Sequence, residues 1–264
     1  MLRSSITKLN MMNVAQRHKM ILAELEKESY VKVTDLSDRL GVSTVTIRKD
    51  LTELENRKLL FRSHGSVSLF SSLTSDRHID EKEKIMVDEK LRIAEAANRL
   101  LEPNDRIIIA SGTTVLAFAN KINFTEPLTV ITAAVKVSLS LCYRHNIEVI
   151  QLGGIMRKSS ASVIGHEAEN FLSDLTCNKL FMGVDGIDLD FGLTTSNIGE
   201  AQLNQVMMRA AQKVIVLTDS TKFGKRGFGK MCNLNQVHQI ITDSNAPANA
   251  VQILREKGIE ITLV

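Results

Sequence analysis

Two kinds of chemistry are spaced along this chain. Between Val42 and Leu51, the residues Ser43, Thr44, Thr46, Arg48 and Lys49 interleave with Val45 and Ile47. At helical spacing Ile47, Leu51 and Leu54 form one apolar stripe, which leaves the hydroxyls and cations on the opposite face. A row of such donors suits base edges and phosphate oxygens. The second kind is a series of polar loops that each leave a short apolar run. Ser111-Gly112-Thr113-Thr114 offers backbone N–H groups and hydroxyls to an anion at a helix start. Gly153-Gly154 permits close backbone approach, with Arg157 three residues on as an anion clamp or, equally, a surface ion-pair partner. Asp185 and Asp188 in Gly183–Asp188 can accept hydrogen bonds from sugar hydroxyls. Glu200 opens a helix, where a carboxylate is favoured even without a ligand. Lys222, at the end of Asp219-Ser220-Thr221-Lys222, is the candidate phosphate cation, whereas Lys225, Arg226 and Lys230 read as a mobile, solvated basic loop or a lid. The alternative for Ser111–Thr114 is a plain cap and turn, because the chain has neither a G-x-x-x-x-G-K-[ST] nor a G-x-G-x-x-G loop.

The elements that must position the first set are three helices and a hairpin. Val14 to Lys27 is amphipathic, with Val14, Arg17, Met20, Ile21 and Leu25 in register. Thr34 offers an N-cap to a short helix carrying Leu36 and Leu40, Gly41 ends it, and Ser43 caps the next. Two short helices joined by a Gly-containing turn are a helix-turn-helix signature, whose second helix enters the major groove. The runs Leu59–Arg62 and Ser66–Leu69 around Ser63-His64-Gly65 add a β-hairpin wing, in which Arg62 and His64 can lie on phosphate or in a minor groove. A helical module that binds protein instead is the bland alternative.

The second set needs a sheet. Strands are expected at 106–110, 128–132, 148–152, 179–182, 213–218, 238–242 and 260–263, and helices at 87–101, 115–121, 135–143, 167–175, 200–211 and 248–257. This alternation predicts an α/β domain with a doubly wound, largely parallel sheet, which binds ligands at the carboxyl ends of its strands. The expected organisation is an N-terminal extension at 1–13, a winged helix-turn-helix at 14–70, a Ser- and charge-rich linker at 71–86 and the α/β domain at 87–264.

Composition agrees with that division. The 264 residues carry a net charge of +3. Residues 1–70 hold 12 Lys and Arg against 8 Asp and Glu, while the rest hold 21 against 22. The positive excess therefore lies where phosphate contact is expected. An apolar fraction of 44% fits packed domains. With no apolar run of about 20 residues and no signal-peptide core, a cytoplasmic chain without a membrane partner is expected. Cys142, Cys177 and Cys232 are widely spaced, so no disulfide framework or metal site is expected, and all three read as small buried hydrophobes.

The segment Val33 to Leu69, with V-S-x-x-T-I-R-x-D-L from Val42 to Leu51 and R-x-H-G from Arg62, closely resembles the DeoR family of bacterial sugar-metabolism regulators. The resemblance continues to about Val264. It departs at Lys49, where the family has a second Arg, and at Ser66-Val67, where its wing reads G-A; Lys lacks the bidentate fork of Arg. The resemblance implies a sequence-specific repressor of a sugar-catabolic operon that binds double-stranded DNA as a homo-oligomer. It also implies a ribose-5-phosphate-isomerase-like sensor for a phosphorylated sugar, with no cofactor. Ser111 to Thr114 match the sensor's phosphate motif, Gly183 to Asp188 its G-x-x-G-I-D, and Asp219 to Lys222 its D-x-S/T-K. Thr132-Ala133 stands where T-N is usual, losing an Asn amide near the ligand. The amino-sugar and galactitol regulators are the most similar subgroup.

The competing class is an isomerase fused to a DNA-binding module, with Asp185, Asp188 and Glu200 as acid and base groups. The isomerases carry a Lys-Gly-Gly-Gly segment after their G-A-D-E-I-D motif. Here the stretch is Asp190-Phe191-Gly192-Leu193, so no catalytic residues are expected.

Overall fold

The computed structural model describes residues 13–27, 31–57, 59–63, 66–69 and 76–264. Helices α1 (Val14–Lys27), α2 (Val33–Leu40) and α3 (Thr44–Asn56) build the N-terminal module with strands β1 (Val31–Lys32), β2 (Leu60–Ser63) and β3 (Ser66–Leu69). β3 lies antiparallel between β1 and β2, which is the wing. Ile21, Leu25, Leu36, Leu40, Ile47, Leu51, Leu54, Leu60 and Val67 close a single small core. Gly41 ends α2 in the left-handed region at φ 63°, where its N–H reaches the Ser37 carbonyl. The Ser43 hydroxyl caps α3 by accepting the Thr46 N–H at 3.2 Å.

Two expectations for this module need correction. The N-cap of α2 is Lys32, not Thr34, and no side chain among the described residues caps it; the helix starts two residues earlier, with Val33 drawn into the core beside Val31. On α1 only Ile21 and Leu25 of the apolar residues are buried, while Val14 and Met20 are about half exposed.

The second unit is a seven-stranded parallel sheet. Its strands are β4 (Arg106–Ile109), β5 (Leu128–Thr132), β6 (Ile147–Gln151), β9 (Cys177–Met182), β12 (Ala211–Leu217), β14 (Gln239–Thr242) and β15 (Glu260–Leu263). Their order is β15-β14-β12-β9-β4-β5-β6, with every pairing parallel. Runs such as Arg106-Ile-Ile-Ile and Lys213-Val-Ile-Val-Leu bury both faces, as a doubly covered parallel sheet demands. Ile107 and Ile109 face a layer containing α5 (Val87–Asn98), α6 (Thr113–Lys121) and α7 (Val135–Leu141). Ile108 and Ala110 face the other layer, with α8 (His166–Ser173), α9 (Ile198–Ala210) and α10 (Ala248–Glu256).

The order reverses between β4 and β9, so the loops after these strands diverge and leave a crevice, the usual ligand position in such sheets. Around this end sit a hairpin of β7 (Ile155–Arg157) with β8 (Ser162–Ile164) and a small antiparallel sheet, β10 (Gly186–Asp188), β11 (Gly192–Thr195) and β13 (Gly229–Cys232). The basic stretch 223–230 is correspondingly tied down: Phe223 is buried, Gly224 donates to the Ile187 carbonyl, and Arg226 pairs with Asp188. Residues 76–84, expected within the linker, instead place helix α4 (Ile79–Glu83) on the α/β unit, with Ile79 4% exposed. Cys177 and Cys232 are buried, but Cys142 is exposed.

Candidate functional site

The N-terminal module presents one polar face. α3 buries Ile47, Asp50, Leu51 and Leu54, so Thr44, Arg48 and Lys49 are exposed and Thr46 is half-buried at its first two turns. Thr34 is exposed on α2, the helix before it. Arg17 of α1 grips Asp50 with two hydrogen bonds of 2.5 and 2.8 Å; this pair fixes the pitch of α3 against α1. Asp50 holds the Arg17 guanidinium above its ordinary range. The D of the R-x-D-L motif is thus a structural anchor, and the exposed hydroxyls and cations singled out for DNA contact lie on the opposite face. Arg62 sits in β2, but its side chain, and His64 entirely, lie outside the described residues.

The crevice at the β4/β9 reversal gathers the polar loops. Its walls include Ser111, Gly112, Thr113 and Thr114 after β4, Gly183, Val184 and Asp185 after β9, Thr195 from β11, Glu200 and Asn204 from α9, and Lys222 after β12. Gly112 is the N-cap of α6 at φ 135°, and no side chain among the described residues caps the helix. A Cβ at Gly112 would lie 3.9 Å from the Gly183 Cα, so the two loops meet with little room between them.

Opposite this helix end stands a carboxylate array. Thr195 Oγ1 donates to Asp185 Oδ2 at 3.1 Å and lies 3.3 Å from Glu200 Oε2. Asp185 also accepts the Ser196 N–H at 2.9 Å and the Lys82 ammonium at 2.8 Å. Burial alone would push the Asp185 carboxyl up, but Lys82 and the Ser196 N–H outweigh it and hold the group below its ordinary range. Glu200 is 7% exposed, accepts Ser162 Oγ at 3.2 Å, and has Arg157 Nε at 3.6 Å. The Asn204 amide donates to the Glu200 carbonyl at 2.8 Å, while its buried Oδ1 has no hydrogen-bond partner among the described residues.

Seven of the twelve residues singled out in this unit thus meet in the crevice: Ser111, Gly112, Thr113, Thr114, Asp185, Glu200 and Lys222. Arg157 reaches its edge through Glu200. The other four stand apart from its walls. Thr132 is fully buried and accepts the Ala134 N–H at 3.0 Å. Gly153 is exposed, and Gly154 packs so tightly that a Cβ would meet the Ile164 carbonyl oxygen at 2.5 Å. Asp188 is 1% exposed and held by Arg226 at 2.8 and 3.1 Å.

Other wall residues escaped the sequence reading: Asp76, Arg77, Ile79 and Lys82 from the expected linker, Ser159 and Ser160 beside Arg157, and Thr195 and Asn204. One signal was available, since Ile79 is the lone apolar residue in Asp76–Lys84 and is followed by Asp80 and Glu81, a helix start on a buried anchor.

Comparison with known proteins fits both units. The DeoR-like helix-turn-helix domain matches residues 17–72, and the DeoR C-terminal sensor domain matches residues 85–244. The regulator YulB of Bacillus subtilis is 36% identical over 253 residues, 96% of this chain and 98% of that one. A protein of Escherichia coli O157:H7 named for repression of the aga operon is 34% identical over 252 residues, 95% and 94% of the two chains. The regulator GlpR of Haloferax volcanii is 30% identical over 247 residues, 94% and 96%. Among solved structures, the full-length sorbitol operon regulator SorC of Klebsiella pneumoniae gives a TM-score of 0.42 at 10% identity, covering 91% of this chain and 98% of that one. Ribose 5-phosphate isomerase A of Neisseria gonorrhoeae gives 0.39 at 18%, covering 55% and 56%. With both domains matched in order and relatives at 30–36% identity along nearly the whole chain, this protein belongs to the DeoR family of DNA-binding transcriptional regulators.

Proposed function

We propose that this regulator represses a sugar-catabolic operon and that a phosphorylated sugar, bound in the crevice at the β4/β9 reversal, sets its affinity for the operator. The carrying observation is that one crevice unites an uncapped helix N-terminus and Lys222 with Asp185, Glu200 and Thr195. The first pair suits a phosphate and the second set suits sugar hydroxyls. The relatives named for the aga operon and, in Escherichia coli K12, for the glycerol-3-phosphate regulon support the same class of ligand.

On the DNA side, Thr44, Thr46, Arg48 and Lys49 of α3 enter the major groove, with Thr34 and Ser43 at its edge and Arg62 and His64 of the wing on the backbone. Two such modules on two half-sites require a homo-oligomer, and the α/β unit sets their spacing. The ligand acts only through its differential affinity for two arrangements, typically about 1–3 kcal/mol.

The same geometry supports sensing over catalysis. Asp185 is already engaged by Lys82, Thr195 and Ser196. Leu193, in the stretch that replaces the isomerase lysine segment, is fully buried in β11. Thermal-shift measurement against a panel of sugar phosphates and their unphosphorylated parents tests the reading. At least one phosphorylated member should raise the melting temperature where its parent does not. A panel of amino-sugar, hexitol and pentose phosphates without effect would contradict it.

A further inference from the structure

The chain segment that follows the wing crosses the mouth of the crevice and is held there by the groups a ligand would use. β3 ends at Leu69, and from Asp76 onward the backbone lies on the α/β unit. Asp76 places both carboxylate oxygens 2.8 Å from Arg157 Nη2, and Ser159 Oγ donates to it at 2.9 Å. Three residues later the Ile79 N–H donates to the Ser159 carbonyl at 2.7 Å, with the Ile79 side chain buried. Lys82 then reaches Asp185 at 2.8 Å, and Lys136 binds Asp80 and Glu83 from the far side, each at 2.6 Å.

We propose that residues 76–84 are a latch, in which Asp76 is an internal anion that occupies Arg157 until an anion from solution displaces it. The inference rests on the sugar-phosphate reading only for the identity of the natural anion. Arg157 is 9% exposed, and its buried Nη1 has no hydrogen-bond partner among the described residues, so the guanidinium can hold more negative charge than Asp76 supplies. Asp76 is 45% exposed along its side chain. With Asp76 this accessible, an anion from solution can reach the pair and compete with it for Arg157. Release of Asp76 loosens the start of the segment, seven residues after the end of β3, and so links occupancy of the crevice to the DNA-binding module.

Hydrogen exchange of the peptide spanning 76–84 in the full-length protein tests this, with inorganic phosphate as the probe. Asp76→Asn should raise exchange at Ile79 about tenfold without phosphate, and Asp76→Glu should keep the wild-type protection. Phosphate should raise wild-type exchange in a saturable way, add nothing in Asp76→Asn, and bind that variant about tenfold more tightly by calorimetry. Unchanged exchange in Asp76→Asn, or phosphate that leaves the wild-type segment unaltered or protects it, would overturn the latch. A phosphate response in a protein that binds no sugar phosphate would instead leave the latch standing and remove the effector reading.

Discussion

The two halves of this regulator handle charge in opposite ways. On α3 the chemistry-bearing side chains Arg48 and Lys49 project into solvent, and the buried pair Arg17–Asp50 only holds the helix in place. In the α/β unit the chemistry-bearing side chains hold one another: Asp185 with Lys82 and Thr195, Glu200 with Arg157 and Ser162, Arg157 with Asp76. A face that waits for a polyanion can stay open, because phosphate contacts form against water and counterions. A pocket that must respond to a small ligand needs its polar groups satisfied while empty, since unpaired buried charge is costly. Under the proposed reading, the difference is that DNA affinity is set by surface placement and ligand response by competition.

The sharpest way to break the comparison is to remove the anchor of the first half. Asp50→Ala leaves Arg17, 9% exposed, without its main partner, at a cost of about 3–5 kcal/mol. Calorimetry should show the N-terminal module melting early, with operator binding lost, while the α/β transition and its ligand response persist. One cooperative transition that shifts as a whole would mean the halves are not independent.

Gly112→Val attacks the second half. At φ 135° a β-branched residue is strained by about 1–3 kcal/mol, and its side chain would crowd Gly183 across the crevice. Ligand-induced stabilisation should vanish, whereas operator affinity without ligand stays at the wild-type level in gel shifts.

Arg48→Ala sharpens the contrast, because it removes one exposed side chain and disturbs no packing. Operator affinity should fall by about 1–3 kcal/mol if Arg48 reads a guanine, and by less if it touches phosphate. The melting curve and sugar-phosphate affinity should not change; unchanged operator affinity would displace α3 from the groove.

The smallest expected effect concerns Lys90 of α5, whose ammonium donates to the Lys82 and Ile85 carbonyls at 2.6 Å. Burial lowers its pKa from 10.5 to about 8, opposed by Asp219. Below about pH 8 both folded and unfolded states carry the proton, and the folded state bears the cost of burying it. Between about 8 and 10.5 the folded state releases the proton while the unfolded chain keeps it, so stability rises with pH across that window. The melting temperature of the α/β unit relative to Lys90→Gln should therefore climb from pH 8 to 10, and a flat difference would count against the shift.

Which parts of this were legible in sequence follows from the same contrast. The α3 stripe Ile47-Leu51-Leu54 and the seven parallel strands announce themselves because hydrophobic periodicity and apolar runs are local signals. The Ser111–Thr114 loop was readable because a Gly between a strand and a helix carries its own chemistry. The strands β7, β8, β10, β11 and β13 are three or four residues long with polar members, too short for any period to show. Asp188 resembled a ligand group until its partner Arg226, thirty-eight residues away, accounted for it. Asp76 and Lys82 look like solvated linker charges in sequence because their partners lie 81 and 103 residues further along the chain, brought near only by the fold.

The claim that joins both halves is that occupancy of the crevice changes operator affinity without chemistry on the ligand. The most direct measurement titrates the sugar phosphate found by thermal shift into full-length protein by calorimetry, and follows operator binding and ligand identity over the same concentrations. The account predicts saturable binding, a change in operator affinity with the same midpoint, loss of both responses in Gly112→Val, and ligand recovered unaltered after prolonged incubation. Operator affinity indifferent to saturating ligand, or an isomerised product whose formation stops in Glu200→Gln, would contradict it.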